Sequence, residues 1–169
     1  MKNGNKLKRL LLTAFIFLAL LASAQDKESV CREGFKRIDG KWNGMRITVS
    51  QSGNSDTLLI AGSHKSDELN LLLKYIDTAG TAIDSSIIEI QPSGKSIKIN
   101  EDLWLITLAV NDGENAIVVL EKKGRENGKD CQYRTRYTIT TKNYQATTEV
   151  RHFGEKDFTI RKSFILTKD

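Results

Sequence analysis

The chain has 169 residues, of which 26 are basic and 21 acidic, giving a formal net charge of +5 and a sequence pI of about 9.2. Four of the basic residues and none of the acidic ones lie in the first 24 residues, so the remainder carries 22 basic and 21 acidic side chains, a net charge of +1. This near-neutral remainder has no basic stripe interleaved with aromatic residues, which argues against a nucleic-acid partner.

The first 24 residues have the three-part pattern of a secretory signal peptide. A basic start precedes the apolar run from Leu10 to Ala22, which is followed by the small-residue site Ala22-Ser23-Ala24. The apolar run is shorter than the roughly 20 residues that a transmembrane helix needs. We therefore predict cleavage after Ala24, a secreted or periplasmic location, no transmembrane segment, and one domain over residues 25–169.

Export predicts an oxidising compartment, and the chain contains only two cysteines, Cys31 and Cys131. In exported proteins such a pair usually forms a disulfide. We predict a Cys31–Cys131 disulfide; the alternative is two separate thiols.

After Gly40 the sequence consists of short β-rich runs separated by turns rich in Gly, Asn and Asp, with a single proline, Pro92. The pattern predicts ten strands, at Lys41 to Ser50, Thr57 to Gly62, Leu69 to Ile76, Ala82 to Ile90, Lys95 to Asn100, Leu103 to Asn111, Asn115 to Lys122, Asp130 to Thr141, Tyr144 to Arg151 and Phe158 to Thr167.

Two segments also carry helical signals. The apolar residues of Leu69 to Ile76 fit a helix stripe behind a cap at Ser66, although the neighbouring strands favour a strand. The segment Lys27 to Ile38 predicts a short helix or an irregular N-terminal segment.

Ten antiparallel strands joined by hairpins must hide their edges, which predicts an all-β, closed up-and-down barrel, with a two-sheet sandwich as the alternative. Gly40-Lys41-Trp42, at the start of the first strand, resembles the Gly-x-Trp motif of lipocalins and other calycin barrels. The C-terminal segment from Arg134 to Lys168 is similar to the ends of small exported lipocalin-like bacterial proteins of unknown function. The resemblance implies a structural role for Gly40 and Trp42, in which the tryptophan plugs one end of the barrel against an arginine from a late strand.

Turn lengths in the last three strands predict a register that pairs Thr141 with Tyr144 and His152 with Phe158. One face then carries the row Arg136, Glu149, Arg161, which we expect to be a solvated face with one arginine available to cover Trp42. The opposite face carries the following residues: Tyr133, Thr135, Tyr137, Ile139, Ala146, Thr148, Val150, His152, Phe158, Ile160, Lys162 and Phe164. We expect this second face to line the barrel interior.

Polar residues interrupt that interior face, and they are our candidate ligand-binding residues: Lys162, Tyr137, Thr148, His152 and Tyr133. An unpaired interior lysine is costly, so Lys162 must reach water, a carboxylate or a ligand. The alternative is that Lys162 extends to water at an open mouth.

The hairpin from Leu103 to Leu120 is apolar on both faces, so its outer surface needs a cover. We expect the segment Lys27 to Ile38 to supply it. The alternative is a homodimer formed through this hairpin.

Signatures of catalysis are missing from the sequence. It has no Gly-x-Ser-x-Gly motif, only two histidines (His64 and His152), and no cluster of metal ligands. We therefore expect no enzyme activity, metal or cofactor. The predicted function is binding of a small, mostly apolar or amphipathic molecule inside the barrel; the alternative is a cavity-free barrel that acts as a protein interaction or inhibitor module.

Overall fold

The structure is a computed structural model that describes residues 27–67 and 70–169. The predicted signal peptide and its cleavage site after Ala24 lie outside the described residues. Within the two described ranges, no helix has the length and apolar character of a membrane span. The elements are α1 (Lys27–Lys36), β1 (Gly40–Val49), β2 (Ser55–Ser66), β3 (Asn70–Asp77), β4 (Ala82–Ile90), β5 (Ser96–Ile99), β6 (Asp102–Asn111), β7 (Ala116–Glu126), β8 (Lys129–Ile139), β9 (Asn143–His152) and β10 (Thr159–Lys168).

Each strand pairs antiparallel with its neighbours in sequence, and β10 closes the sheet by pairing with β1. This arrangement confirms the predicted ten-stranded, closed up-and-down barrel and excludes the two-sheet sandwich. Closure gives each of the ten strands a partner on both sides over at least part of its length, so none of the described strands lies at the edge of the sheet.

The segment with both strand and helix signals is β3, which confirms the strand prediction; Leu69 itself lies outside the described residues. Leu71, Leu73 and Tyr75 alternate along β3 and are buried inside the barrel. The residues between them point outward, so pairing with β2 and β4 overrides the helix periodicity of the run.

α1 confirms the predicted helix, but the expectation that it covers the outer face of the Leu103 to Leu120 hairpin is wrong. The helix closes one end of the barrel, where the Phe35 ring lies edge-on against Tyr137 with 5.4 Å between ring centroids. Lys27 Nζ also donates to the Ile106 carbonyl, at 3.0 Å. The buried side of α1 (Val30, Cys31, Gly34 and Phe35) therefore packs at the barrel end, and the leucines on the outside of β6 stay exposed.

Two glycines position Trp42 at the start of β1. Gly40 has φ of +119°, a backbone conformation that residues other than glycine rarely adopt. A Cβ on Gly44 would lie 2.1 Å from the Ile165 carbonyl oxygen, so β1 and β10 approach closely only because Gly44 has no side chain. Trp42 itself is fully buried.

The predicted register between β8 and β9 is wrong by two residues. Tyr144 pairs with Ile139 and not with Thr141, because the turn is longer than predicted and includes a hydrogen bond from the Thr140 amide to the Asn143 carbonyl, at 2.8 Å. A shift of two residues keeps every side chain on the face predicted for it.

The register between β9 and β10 holds for Lys162 and Phe164, which pair with Thr148 and Ala146. A β-bulge between Ile160 and Lys162 then changes the pairing, and Ile160 lies opposite Glu149. The predicted interior position of Ile160 is therefore wrong, since 44% of this residue is exposed.

The predicted disulfide is also absent from the described residues, because Cys31 and Cys131 are both buried and are not bonded to each other. α1, which carries Cys31, lies at the end of the barrel where β8 terminates, since a Cβ on Gly34 would sit 3.9 Å from Ile139 Cδ1. Cys131 lies eight residues before Ile139 on β8. At ~3.3 Å per strand residue it is therefore about 26 Å from Ile139 and from the end of the barrel that α1 occupies. Two Cα atoms more than about 7 Å apart cannot be bridged without moving the backbone.

Candidate ligand-binding cavity

A cavity of about 440 Å³ occupies the barrel interior away from α1. All four tyrosines of the chain line it, together with Trp104 and Phe164. The remaining lining residues are Leu73, Asp84, Ser86, Ile99, Asn100, Asp102, Lys122, Thr135, Ala146, Thr148 and Lys162. The walls thus combine six aromatic rings with eight polar residues and three aliphatic ones.

The cavity opens where β5 is short. β5 has four residues and pairs with β4 only over Ile88 to Ile90, so the first half of β4 has no strand partner on this side among the described residues. Asn100, with φ of +54°, ends the wall there: its amide donates to the Ile87 carbonyl at 2.8 Å, and its side-chain oxygen accepts from the Ile87 amide at 2.9 Å. Asp84 and Asp102 therefore lie at the rim of this opening.

The floor of the cavity is aromatic and uncharged. Tyr75 stacks on Phe164 with ring centroids 4.5 Å apart, and Tyr137 and Tyr144 lie beside them with centroids 6.3 Å apart. Burial raises the pKa of Tyr75, Tyr137 and Tyr144 well above the ordinary tyrosine value. These side chains therefore offer neutral hydroxyl groups to a molecule in the cavity.

Below this floor, His64 lies between Trp42, Tyr75 and Tyr144, with centroid distances of 5.9, 5.4 and 5.3 Å. His64 is 3% exposed, and burial lowers its pKa to about 4, although the Ile38 carbonyl and the Asp39 carboxylate act in the opposite direction. His64 is therefore a neutral part of the aromatic core at physiological pH.

The cation over Trp42 is a lysine and not an arginine. Lys168 Nζ lies 5.4 Å from the centroid of the Trp42 ring. The indole Nε1 of Trp42 donates to the Ile38 carbonyl, at 2.6 Å. Trp42 thus closes the α1 end of the barrel with its polar atom bonded and its ring face covered by Lys168.

Lys162 reaches a carboxylate across the lumen. Its Nζ lies 3.1 Å from Asp84 Oδ2, although β1, β2 and β3 separate the two strands along the sheet. The Lys162 side chain is 41% exposed, so the pair contributes under about 1 kcal/mol to stability. Its main consequence is geometric, since the pair bridges the lumen at the mouth of the cavity.

A second pair lies on the opposite wall, where Lys122 binds Asp102 on the neighbouring strand. Lys122 Nζ also lies 4.8 Å from the ring centroid of Trp104 and 5.4 Å from that of Tyr133. Burial, together with the neighbouring Cys131, raises the pKa of Tyr133 to about 12. The mouth therefore combines two compensated ion pairs with aromatic surface.

Five buried polar atoms lack a hydrogen-bond partner in the part of the chain that the structure describes: Trp104 Nε1, Arg46 Nε, the Tyr75 hydroxyl and the two ring nitrogens of His64. Trp104 is 7% exposed and lines the cavity. Arg46 points inward, because it pairs with Leu58 on one side and Phe164 on the other, and both face the interior. Buried donors without partners are costly and are normally satisfied by water or a ligand.

Four of the five predicted ligand-binding residues line the cavity: Lys162, Tyr137, Thr148 and Tyr133. His152 does not, because it lies beyond the cavity at the end of β9. There its Nε2 is 3.2 Å from Glu126 Oε2, and its Nδ1 is 3.4 Å from Glu155 Oε2.

The predicted row of Arg136, Glu149 and Arg161 does not form. Glu149 accepts from Arg134 Nε at 2.7 Å, while Arg136 lies opposite Thr147. Arg161, which the β-bulge displaces from the row, donates two bonds to Glu126, at 3.0 and 3.1 Å. The Arg161 guanidinium holds the pKa of Glu126 below the ordinary glutamate value, and this cluster covers the end of the barrel beside Tyr133.

Sequence reasoning missed the wall residues outside the last three strands, above all Tyr75, Asp84, Trp104 and Lys122. The alternation along β3, where Tyr75 follows Leu71 and Leu73 at two-residue spacing, would have placed Tyr75 inside. The cross-lumen partner of Lys162 had no comparable signal, since Asp84 is 78 positions away.

Comparison with known proteins gives a fold relationship alone. No protein family described by a sequence profile matches the chain, and no curated protein sequence is significantly similar to it. Solved structures that resemble it include the crystal structure of Rv2717c from M. tuberculosis, with a TM-score of 0.56 and 11% identity. The match covers 81% of this chain and 96% of that one, so the likeness extends over the barrel as a whole.

Proposed function

We propose that the protein is an exported, lipocalin-like barrel that binds a small, mostly apolar molecule in its interior. The observation that carries this proposal is the cavity of about 440 Å³ lined by six aromatic rings. Sites for small molecules in proteins are concave, mostly apolar and lined by a few placed polar groups, with volumes of about 300–1,000 Å³. Export rests on the signal-peptide pattern of residues 1–24.

The arrangement of polar groups supports a bound molecule that is oriented. Tyr137 and Thr148 supply hydroxyl groups in the wall, and the Lys162–Asp84 pair supplies charge at the mouth. A molecule that enters with its apolar part first contacts Phe164 and the tyrosines and leaves its polar part near Lys162. Lys162→Met should therefore weaken binding of an amphipathic molecule without unfolding the barrel.

Filling the cavity tests the proposal directly. Ala146 lines the cavity and is buried, so Ala146→Phe places a ring inside it, whereas Gln145→Phe places the same ring on the exposed outer face of β9. The probe is the neutral dye N-phenyl-1-naphthylamine, whose fluorescence rises in apolar surroundings. We expect saturable binding to the wild type and to Gln145→Phe, and its loss in Ala146→Phe. Equal binding by an Ala146→Phe variant with unchanged circular dichroism would refute the cavity as the binding site.

A second candidate function, association with another copy of the chain, is favoured by the outer face of β6. Leu103, Leu105, Leu108 and Val110 are between 42% and 59% exposed there. Exposed apolar patches of this kind mark association sites in many proteins. Analytical ultracentrifugation of the wild type and of Leu105→Glu tests it: a dimer that the substitution dissociates supports association, and a monomeric wild type at 100 µM excludes a stable homodimer.

A further inference from the structure

The inner faces of β1 and β2 are separated from the cavity by a contact between the strands on either side of them. Tyr75 on β3 and Phe164 on β10 stack with ring centroids 4.5 Å apart and ring planes 19° apart, although β1 and β2 lie between these strands in the sheet. The Tyr75 ring lies against β2 because Gly62 has no side chain, and a Cβ there would lie 3.2 Å from Tyr75 Cε1. We call this stacked pair the aromatic partition. The residues that line the cavity accordingly belong to the strands from β3 to β10 and to the turn between β5 and β6.

The wall opposite the aromatic partition is aromatic as well. In a closed ring of ten strands, β6 and β7 lie opposite β1 and β2. Trp104 on β6 and Tyr133 on β8 line the cavity there, with ring centroids 6.5 Å apart. Aromatic rings pair with one another in offset-stacked or edge-on arrangements, at centroid distances of about 4.5–7 Å. A flat aromatic molecule can make such contacts with both walls at once, whereas an aliphatic chain or a saturated ring cannot.

The charged groups in the cavity wall cancel one another. Lys162 Nζ lies 3.1 Å from Asp84 Oδ2. Lys122 binds Asp102 on the neighbouring strand, so two lysines are matched by two aspartates. An ion in the cavity would therefore meet a like charge beside each opposite charge, and it would leave water without gaining an unpaired partner. Apart from the tyrosines, the other polar residues of the wall are uncharged: Ser86, Asn100, Thr135 and Thr148.

We propose that the molecule bound in the cavity is a flat, electrically neutral aromatic compound whose rings lie between the aromatic partition and the wall of Trp104 and Tyr133, and whose hydroxyl or amide group lies near the two lysine–aspartate pairs. This proposal rests on the proposed function, since it names the chemical class of the cavity's ligand. A hydroxyl or amide group can donate to an aspartate and accept from a lysine, so it satisfies both kinds of partner without adding a charge.

Four ligands with one two-ring skeleton test the flat shape and the neutrality separately. 2-Naphthol is flat and neutral at pH 7, and decahydro-2-naphthol is its saturated, puckered counterpart. 2-Naphthoate and 2-naphthylmethylammonium carry a negative and a positive charge on the same aromatic rings. Dissociation constants are measured by isothermal titration calorimetry at pH 7 and 50 mM salt. We expect 2-naphthol to bind about tenfold more tightly than decahydro-2-naphthol, because of ring contacts with two walls, and at least about tenfold more tightly than either ion.

One substitution tests the charge balance of the wall. Asp84→Asn leaves Lys162 without its carboxylate, so the affinity for 2-naphthoate should rise about tenfold while that for 2-naphthol changes little. Asp130→Asn is the matched control, because Asp130 forms an ion pair with Arg125 in which both side chains are exposed, outside the cavity. It should change neither affinity.

A second substitution tests the aromatic partition. Phe164→Leu removes one of its rings and should reduce the preference for 2-naphthol over decahydro-2-naphthol to less than about threefold. Phe153→Leu is the matched control, since Phe153 is 59% exposed and lies outside the cavity, and it should leave the preference unchanged. If Phe164→Leu fails to fold by circular dichroism, Trp104→Leu tests the opposite wall in the same way.

The results distinguish this proposal from the proposed function. Equal binding of 2-naphthol and decahydro-2-naphthol overturns the flat ligand, and tighter binding of either ion overturns the neutral one. A preference that persists in Phe164→Leu, or an affinity for 2-naphthoate that stays the same in Asp84→Asn, also overturns the proposal. In each case the proposed function stands if N-phenyl-1-naphthylamine binds and Ala146→Phe abolishes that binding. Failure of this dye and of all four ligands to bind overturns the proposed function as well.

Discussion

The buried histidine below the cavity floor predicts how stability responds to acid. Burial lowers the pKa of His64 to about 4, against an ordinary value of 6.5. Between these two pH values the unfolded chain binds a proton at this residue and the folded chain does not, so stability is lost as the pH falls from about 6.5 to about 4. The difference of roughly 2.5 pH units corresponds to about 3 kcal/mol, at ~1.4 kcal/mol per unit.

The test compares the wild type with His64→Phe, which keeps a ring between Trp42, Tyr75 and Tyr144 but cannot bind a proton. Neither nitrogen of His64 makes a hydrogen bond of ordinary geometry among the described residues, and the nearby Ile38 carbonyl already accepts from Trp42 Nε1. At pH 7.5 the variant should therefore match or exceed the stability of the wild type. Urea unfolding, followed by tryptophan fluorescence, should show the variant gaining about 3 kcal/mol over the wild type between pH 7.5 and pH 4.

Carboxylates such as Glu126, whose pKa is lowered by Arg161, also cost stability in acid, but they are present in both proteins and cancel in the comparison. His152→Gln, which removes the other histidine, is the control. Like the wild type, it should lose about 3 kcal/mol of stability relative to His64→Phe between pH 7.5 and pH 4. If the two stability curves of the wild type and His64→Phe remain parallel to within about 0.5 kcal/mol from pH 7.5 to pH 4, the account of His64 as a buried neutral residue is refuted.

Two further predictions concern the backbone of β1 and the cysteines. Gly44→Ala should lower the free energy of unfolding in urea by more than about 2 kcal/mol, because its Cβ would meet the Ile165 carbonyl oxygen at 2.1 Å. Asn43→Ala, on the exposed face of the same strand, is the control and should cost under about 0.5 kcal/mol. Similar costs for both variants would contradict the close approach of β1 and β10. Protein purified without reductant and then unfolded should expose two maleimide-reactive thiols, because Cys131 lies near the start of β8 whereas Cys31 is on α1, which lies beside the other end of β8. A count of zero by mass spectrometry would restore the disulfide.

The strands were predictable because each carries its own local signal. In β3, for example, the buried Leu71, Leu73 and Tyr75 recur at the two-residue spacing of a strand, and a turn residue such as Gly80 marks its end with φ of +84°. Closure of the barrel follows from the number of strands and from their hairpin connections. These features depend on neighbouring residues in the chain, so one sequence suffices to find them.

The details that escaped prediction depend on single insertions and on distant partners. The bulge before Lys162 adds one residue to β10, and the sequence around Ile160 alternates equally well in both registers, so only the pairing with Glu149 reveals it. The partners of Arg161 and Lys162, Glu126 and Asp84, lie 35 and 78 positions away. The sequence pattern of β10 contains no information about which carboxylates on distant strands lie beside its basic side chains.

The inward direction of Arg46 lay within reach of the sequence. Trp42, Gly44 and Arg46 follow one another at two-residue spacing, so a tryptophan assigned to the interior also assigns Arg46 there. An arginine in a strand is usually solvated, so its residue type alone does not indicate an interior position. Arg46 is partly exposed and does not line the cavity, so its inward position concerns the packing of β1 and not the candidate ligand site.

The number of strands and the position of α1 together explain why a cavity exists. A barrel of about eight strands is just wide enough for its own side chains to fill, so ten strands leave additional space inside. At one end α1 fills that space with Val30, Cys31 and Phe35, all buried. At the other end the described chain supplies ion pairs and no apolar plug: Lys162 with Asp84 across the lumen, Lys122 with Asp102, and Arg161 with Glu126. A ring system bound above Phe164 would provide at the mouth the packing contacts that Phe35 provides at the closed end, which is the physical reason for proposing a ligand there.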